Sequence, residues 1–148
     1  MHEAYLGLGT NLGDKHANIL KAIDEIEKLI GTVVRQSAFY ETAPWGFDSP
    51  HQFVNAAVCV QTKLSPRELL ATTQGIERLM GRKEKSVDGQ YHDRIIDIDI
   101  LLYDEVHIDE PDLKIPHPLM HGRDFVMVPL REILSDTGRQ LNNENKWE

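Results

Sequence analysis

Apolar residues recur along this chain with two different periods, and the changes of period outline its elements. In AYLGLG, residues 4–9, Ala4, Leu6 and Leu8 share one face of a predicted strand. After the turn TNLGDK, Ile19, Leu20, Ile23, Ile26 and Ile30 recur at helical spacing, and Gly31 supplies a stop. TVVRQSAFYE, residues 32–41, predicts a second strand; TAPWGFDSPHQ, rich in Pro, Gly and Asp, predicts a loop. FVNAAVCVQT is a third strand, with Val54, Ala56, Val58 and Val60 on one face. SPRELL then opens a helix: Ser65 is placed to cap, Pro66 takes the first helical position, and Glu68 completes a capping box. That helix runs through Leu69, Thr73, Ile76 and Met80 and should end at Gly81. RKEKSVDGQYHD is a charged loop, RIIDIDILLY a fourth strand, and the remainder reads as loop, short helical turns and a polar tail.

The order strand, helix, strand, strand, helix, strand is the split β-α-β arrangement of ferredoxin-like domains. The expected fold is therefore α+β: an antiparallel sheet with helices on one face, plus additional C-terminal segments. No repeat or linker divides the 148 residues, so residues 1–148 read as one domain with a polar tail over 135–148.

The fourth strand breaks its own pattern. In DRIIDIDILLYD, Ile96, Ile98, Ile100 and Leu102 alternate onto one face, which leaves Asp97 and Asp99 on the other. At roughly 3.3 Å per residue the two acids stand about 7 Å apart and repel unless something positive lies between them. Divalent cations bridging phosphate oxygens are one solution; a solvated face with two ordinary aspartates is the other. On the third strand, Phe53 and Asn55 share the face opposite the valines, an aromatic and an amide suited to a planar heterocycle or an aromatic tucked under a loop. GLGTNLGDK fits neither the P-loop nor the dinucleotide spacing, so its glycines read as turn chemistry.

Charge narrows the partners. A net charge of −8 argues against a general binder of nucleic acid or anionic membrane, although local arginines can still hold phosphates. Arg82, Lys83 and Lys85 open the charged loop, Arg94 precedes the acidic strand, and Arg123 follows PHPLMHG. His117 and His121 lack a third ligand for zinc, and a hydrogen-bonding histidine beside a nucleotide is the better reading. The single Cys59 fits a reducing compartment; with no signal peptide or membrane-length run visible, the cytoplasm is the expected location.

Together, GLGTNLGDK, FVNAAV, TQGIERLMGR, DRIIDIDILLYD and IPHPLMHGRDFVMVPL resemble 6-hydroxymethyl-7,8-dihydropterin pyrophosphokinase, in that family's order and spacing, up to about Leu134. The resemblance implies a ferredoxin-like enzyme of folate biosynthesis, usually monomeric, that moves the pyrophosphoryl group of ATP to a pterin with two Mg2+ ions. It implies Asp97 and Asp99 as metal ligands, and Arg82, Arg94, Asp97 and Asp99 as the catalytic set. Gln74, Glu77, Arg82, Arg94, His117 and Arg123 would contact ATP, Glu77 through a sugar hydroxyl or a neighbouring base. Phe53 and Phe125 would sandwich the pterin, with Asn55 and the backbone around Thr42 and Trp45 bonding its edge. Glu84 and YHDR stand where many members have an arginine and a WGPR run, with Lys83 or Lys85 and Tyr91 as stand-ins. Phe53 replaces a frequent tyrosine. A nucleotidyltransferase also uses alternating aspartates but carries a Gly-Ser signature upstream that is absent here. A ferredoxin-like RNA-recognition module would need a basic, aromatic sheet.

Overall fold

The chain enters as β1 (His2–Thr10) and turns at Leu12–Gly13 into α1 (Lys15–Leu29). The protein's structure, a computed structural model, describes residues 1–42, 52–81, 95–118 and 120–135. Asp14 caps α1 by accepting from the backbone N–H of Ala17 at 3.1 Å. The helix buries Ile19, Ala22, Ile23 and Ile26, while Leu20, expected in the same stripe, is exposed on the far side. Gly31 then starts β2 (Gly31–Gln36) because nothing larger fits: a Cβ there would lie 1.9 Å from the Gln61 carbonyl oxygen.

The single strand expected over 32–41 is two. β2 ends at Gln36 and β3 (Tyr40–Thr42) begins four residues later, both pairing with β4 (Phe53–Thr62) along the same side. Ser37 causes the break. Its N–H bonds the Ala57 carbonyl at 2.9 Å, and its Oγ accepts from the Ala57 N–H at 2.9 Å. A side chain thus replaces a backbone partner and the strand can kink without leaving Ala57 unsatisfied.

α2 (Pro66–Leu79) follows, with both bonds of the predicted capping box in place. β5 (Asp97–Tyr103), a hairpin of β6 (Ile108–Glu110) and β7 (Leu113–Ile115), a 3-10 turn at Met120–Gly122 and α3 (Asp124–Ser135) complete the described chain. The sheet order is β2-β4-β1-β5, every neighbouring pair antiparallel, which is the ferredoxin-like order.

Parity decides what each face carries. α1 and α2 cover one face, packing Ile19, Ile26, Leu69 and Ile76 on Leu6, Leu8, Val54, Val58 and Ile98. Each such aliphatic side chain contributes about 1.5–3 kcal/mol by leaving water. The C-terminal segments supply α3, a full helix on the opposite face, where Met127, Leu130, Ile133 and Leu134 meet Tyr5, Ala57, Cys59 and Leu101. Pro129 sits inside α3 and cannot donate toward the carbonyl of Phe125, which is why the sequence reads there as short turns.

One expectation about β5 is corrected. Tyr5 pairs with Leu102 but Leu6 pairs with Ile100, so the register slips at Leu101. Leu101 and Leu102 both turn toward α3, and Tyr103 turns to the α1/α2 side. Leu102 therefore does not share a face with Ile96, Ile98 and Ile100.

Candidate active site

The apolar contacts of α3 stop partway along its face of the sheet. Beyond Ala57 and Leu101, alternation puts Asn55 and Phe53 of β4, Gly7 and Gly9 of β1, and Asp99 and Asp97 of β5 on that same face. The register aligns them in rows: Asn55, Gly9 and Asp97 in one, Ala57, Gly7 and Asp99 in the next. At roughly 4.7–4.9 Å per strand, the Asn55 and Asp97 backbones are about 9.5 Å apart.

Glycine on the central strand makes this a trough. A Cβ on Gly9 would stand 2.9 Å from Asn55 Oδ1, and one on Gly7 would reach 3.4 Å from the Leu101 side chain. Phe53 is half-buried and Asn55 buried, with Asp97 and Asp99 partly exposed at the opposite wall. Arg123 follows the 3-10 turn and Phe125 stands in the first turn of α3, the helix that packs on this face. Arg123 is only 6% exposed, its guanidinium carbon lies 5.9 Å from the Phe125 ring centroid, and burial pulls its pKa below the ordinary arginine value. A cation held over a ring face is favourable, and arginine keeps its proton at neutral pH even so.

The outer edge of β5 forms a second compartment. A cavity of about 260 Å³ lies between α2, β5 and the β6–β7 hairpin, and its walls include Thr73, Gln74, Ile98, Asp99, Leu113 and His117. Gln74, His117 and Asp99, singled out separately in the sequence, meet here; Leu113 and Lys114 on β7 were not foreseen. Nothing in the short IDE and LKI runs marked them as a hairpin.

Glu77, on α2, is 2% exposed, and its Oε2 accepts from the Ile98 N–H at 2.8 Å. That N–H lies between the two aspartates on the outer edge of β5, so Glu77 satisfies a donor that no described strand reaches. His121 sits in the 3-10 turn and is not a wall of the cavity. A larger hollow of about 420 Å³ at the Met1, Glu3 and Asp104 end of the sheet contains none of the expected site residues. Trp45, Arg82, Arg94 and the stand-ins Lys83, Lys85 and Tyr91 lie outside the described residues; Thr42 ends β3, where it pairs with Phe53.

A ferredoxin-like sheet with acids on one strand, an amide and an aromatic two strands away and a cavity at its edge suits a transferase acting on small molecules. A macromolecule binder of this fold presents a basic, aromatic sheet instead. The family model described as 7,8-dihydro-6-hydroxymethylpterin-pyrophosphokinase matches residues 5–135. Relatives named 2-amino-4-hydroxy-6-hydroxymethyldihydropteridine pyrophosphokinase include that of Porphyromonas gingivalis, 48% identical over 130 residues, covering 87% of this chain and 88% of the relative. The Bacillus subtilis enzyme is 38% identical over 141 residues, covering 95% and 83%. A crystal structure of an HPPK-DHPS protein with substrates superposes with a TM-score of 0.73 at 16% identity, over 90% of this chain. A Plasmodium falciparum HPPK-DHPS variant gives 0.72 at 20% identity, over 89%. The chain spans only 40% and 41% of those two longer proteins, and the likeness to them concerns the fold. The chain belongs to the 7,8-dihydro-6-hydroxymethylpterin-pyrophosphokinase family. It transfers pyrophosphate from ATP to hydroxymethyldihydropterin in folate biosynthesis.

Proposed function

We propose that this transfer takes place on the open end of the α3 face, with the pterin on the β4 side and the ATP phosphates over β5. The observation that carries the reading is the shared parity of Asn55, Gly9 and Asp97 across three adjacent strands. One trough therefore holds the group that recognises a heterocycle and the acids that face phosphate. Phe53 and Phe125 stack on the pterin, and Asn55 with the backbone at Thr42 and Trp45 bonds its edge. Gln74 and His117 take the nucleoside in the cavity beside β5, whose wall also includes Asp99.

Asp97 and Asp99 fit magnesium. They offer hard carboxylate oxygens, and among the described residues no three His, Cys, Asp or Glu side chains form a closed cage. Magnesium favours such sites, taking one or two carboxylates and leaving its other positions to phosphate and water. When two ions are bound there, they neutralise the triphosphate and offset the charge that grows on the departing AMP oxygen. Arg82 and Arg94 stabilise the same charge from the protein side, and Arg123 contributes a cation at the head of α3. Glu77 serves ATP through the strand it holds. With substrates aligned, the pterin hydroxyl oxygen attacks the β-phosphorus in line, its proton passes to solvent, and the P–O bond bridging the α- and β-phosphates breaks to release AMP.

Residues 1–148 act on this reading as one domain, as a monomer and in the cytoplasm, where the single buried Cys59 suits reducing conditions. Incubation with ATP, Mg2+ and 6-hydroxymethyl-7,8-dihydropterin, followed by nucleotide analysis, tests the chemistry. AMP formed only when pterin is present is the expected result; ADP, or AMP without pterin, would refute it.

A further inference from the structure

Glu132 lies on α3, seven residues after Phe125, and therefore projects from nearly the same side of the helix. Its carboxylate accepts from the Ala38 N–H, at 3.0 Å to Oε2 and 3.2 Å to Oε1, and from the Tyr40 hydroxyl at Oε1. These partners bracket the point where β2 gives way to β3. Tyr40 stands directly across from Asn55, and two residues on Thr42 stands across from Phe53. The bond to Glu132 also raises the Tyr40 pKa, so the phenol stays protonated and able to donate. One carboxylate thereby ties the helix that carries Phe125 to the short strand that borders Asn55 and Phe53. β3 is three residues long and, among the described strands, pairs with β4 alone, so a side-chain tie can matter to its angle.

We propose that Glu132 is a positioning residue for pterin recognition: it fixes the distance between the wall of the trough carrying Phe125 and the wall formed by β3 and β4. It touches no substrate. Its effect is to hold the aromatic and amide groups in register before the heterocycle arrives, as a preorganised site requires. The inference rests on the assignment of pterin to Phe53, Asn55 and Phe125.

The test compares Glu132→Ala, Glu132→Gln, Tyr40→Phe and Phe53→Ala with the parent chain. Pterin affinity is measured by fluorescence titration, Mg–ATP affinity with a non-hydrolysable analogue, and folding by thermal unfolding. Glu132→Ala should weaken pterin binding about tenfold, within the range that charge-assisted hydrogen bonds command, and leave ATP affinity within about twofold. Glu132→Gln keeps an acceptor and should recover most of the loss, and Tyr40→Phe should lose less than Glu132→Ala. If Glu132→Ala does not fold, Tyr40→Phe carries the test, with Glu132→Gln as the control that keeps the acceptor. Unchanged pterin affinity in folded Glu132→Ala and Tyr40→Phe, or equal weakening of pterin and ATP in them, overturns the proposal. Phe53→Ala separates the two readings. A pterin defect there without one at Glu132 removes only the positioning role; no defect at Phe53 removes the pterin assignment itself.

Discussion

Gly9 offers the sharpest check on the trough, because one added methyl group is enough to test it. A Cβ at this position would meet Asn55 Oδ1 at 2.9 Å, about 0.5 Å inside the 3.4 Å at which ordinary contact begins. Gly9 is central in the sheet, paired to Asn55 on one side and Asp97 on the other, so its backbone has little freedom to yield. The amide of Asn55 must rotate or tilt instead, and it is only 5% exposed. On the proposed pterin assignment, moving it half an ångström takes it out of line with the heterocycle edge. A hydrogen bond lost with its partner left buried costs about 1–3 kcal/mol. Gly9→Ala should therefore weaken pterin binding roughly 5- to 150-fold. Folding is affected less, since strain of about 1–3 kcal/mol is opposed by about 0.5–1 kcal/mol gained on replacing glycine within a strand.

Gly7→Ala is the matched control. It lies on the same strand and face, but its Cβ would reach only the flexible Leu101 side chain, at 3.4 Å. Fluorescence titration of pterin, calorimetry of Mg–ATP binding and thermal unfolding measure all three quantities. Equal pterin affinity in Gly9→Ala and the parent would refute the argument that this glycine exists to admit Asn55. An equal loss in both variants would refute it as well.

Asp97→Asn and Asp99→Asn should each reduce kcat at least a hundredfold, roughly the scale of removing one preorganised stabilising group, while circular dichroism stays unchanged. Near-normal turnover in either would return that residue to an ordinary solvated face. Glu77→Leu should destabilise the protein by about 1–3 kcal/mol in denaturant unfolding, because the Ile98 N–H loses its acceptor; Glu77→Gln, which keeps an oxygen, should cost less. Burial, followed by the influence of Cys59, pushes the Tyr5 phenol from 10.0 up to about 12. Above pH 10 the unfolded chain releases this proton while the folded one retains it, so stability falls progressively until the folded phenol ionises near 12. Tyr5→Phe should lack that component of the alkaline decline, measured by denaturant unfolding between pH 9 and 12 with the parent alongside. Parallel curves would contradict it.

Local patterns carried most of the fold because their physics is local. The helix started by Ser65, Pro66 and Glu68 was legible because a capping box satisfies backbone groups within four residues. The two faces of β4 and the first part of β5 were legible because side chains alternate in any extended strand. The same rule placed Asp97 and Asp99 together, and Phe53 with Asn55, before any strand had a neighbour. Family motifs added the reaction.

What alternation could not supply was pairing between distant segments. The slip at Leu101 depends on β1 as much as on β5, and it reverses the faces of Leu102 and Tyr103. The division of residues 32–41 depends on Ala57, whose N–H donates to the Ser37 hydroxyl rather than to backbone. Glu77 read as a nucleotide contact because the family resemblance implied it; its bond to the Ile98 N–H came only from the packing of α2 against the edge of β5. Glu132 and Tyr40, 92 positions apart, gave no signal at all. By itself, the sequence determined which residues share a face, since that is a property of a few consecutive dihedral angles. Tertiary structure decided which faces meet, because cross-strand register and helix docking depend on contacts between parts of the chain that are far apart in sequence.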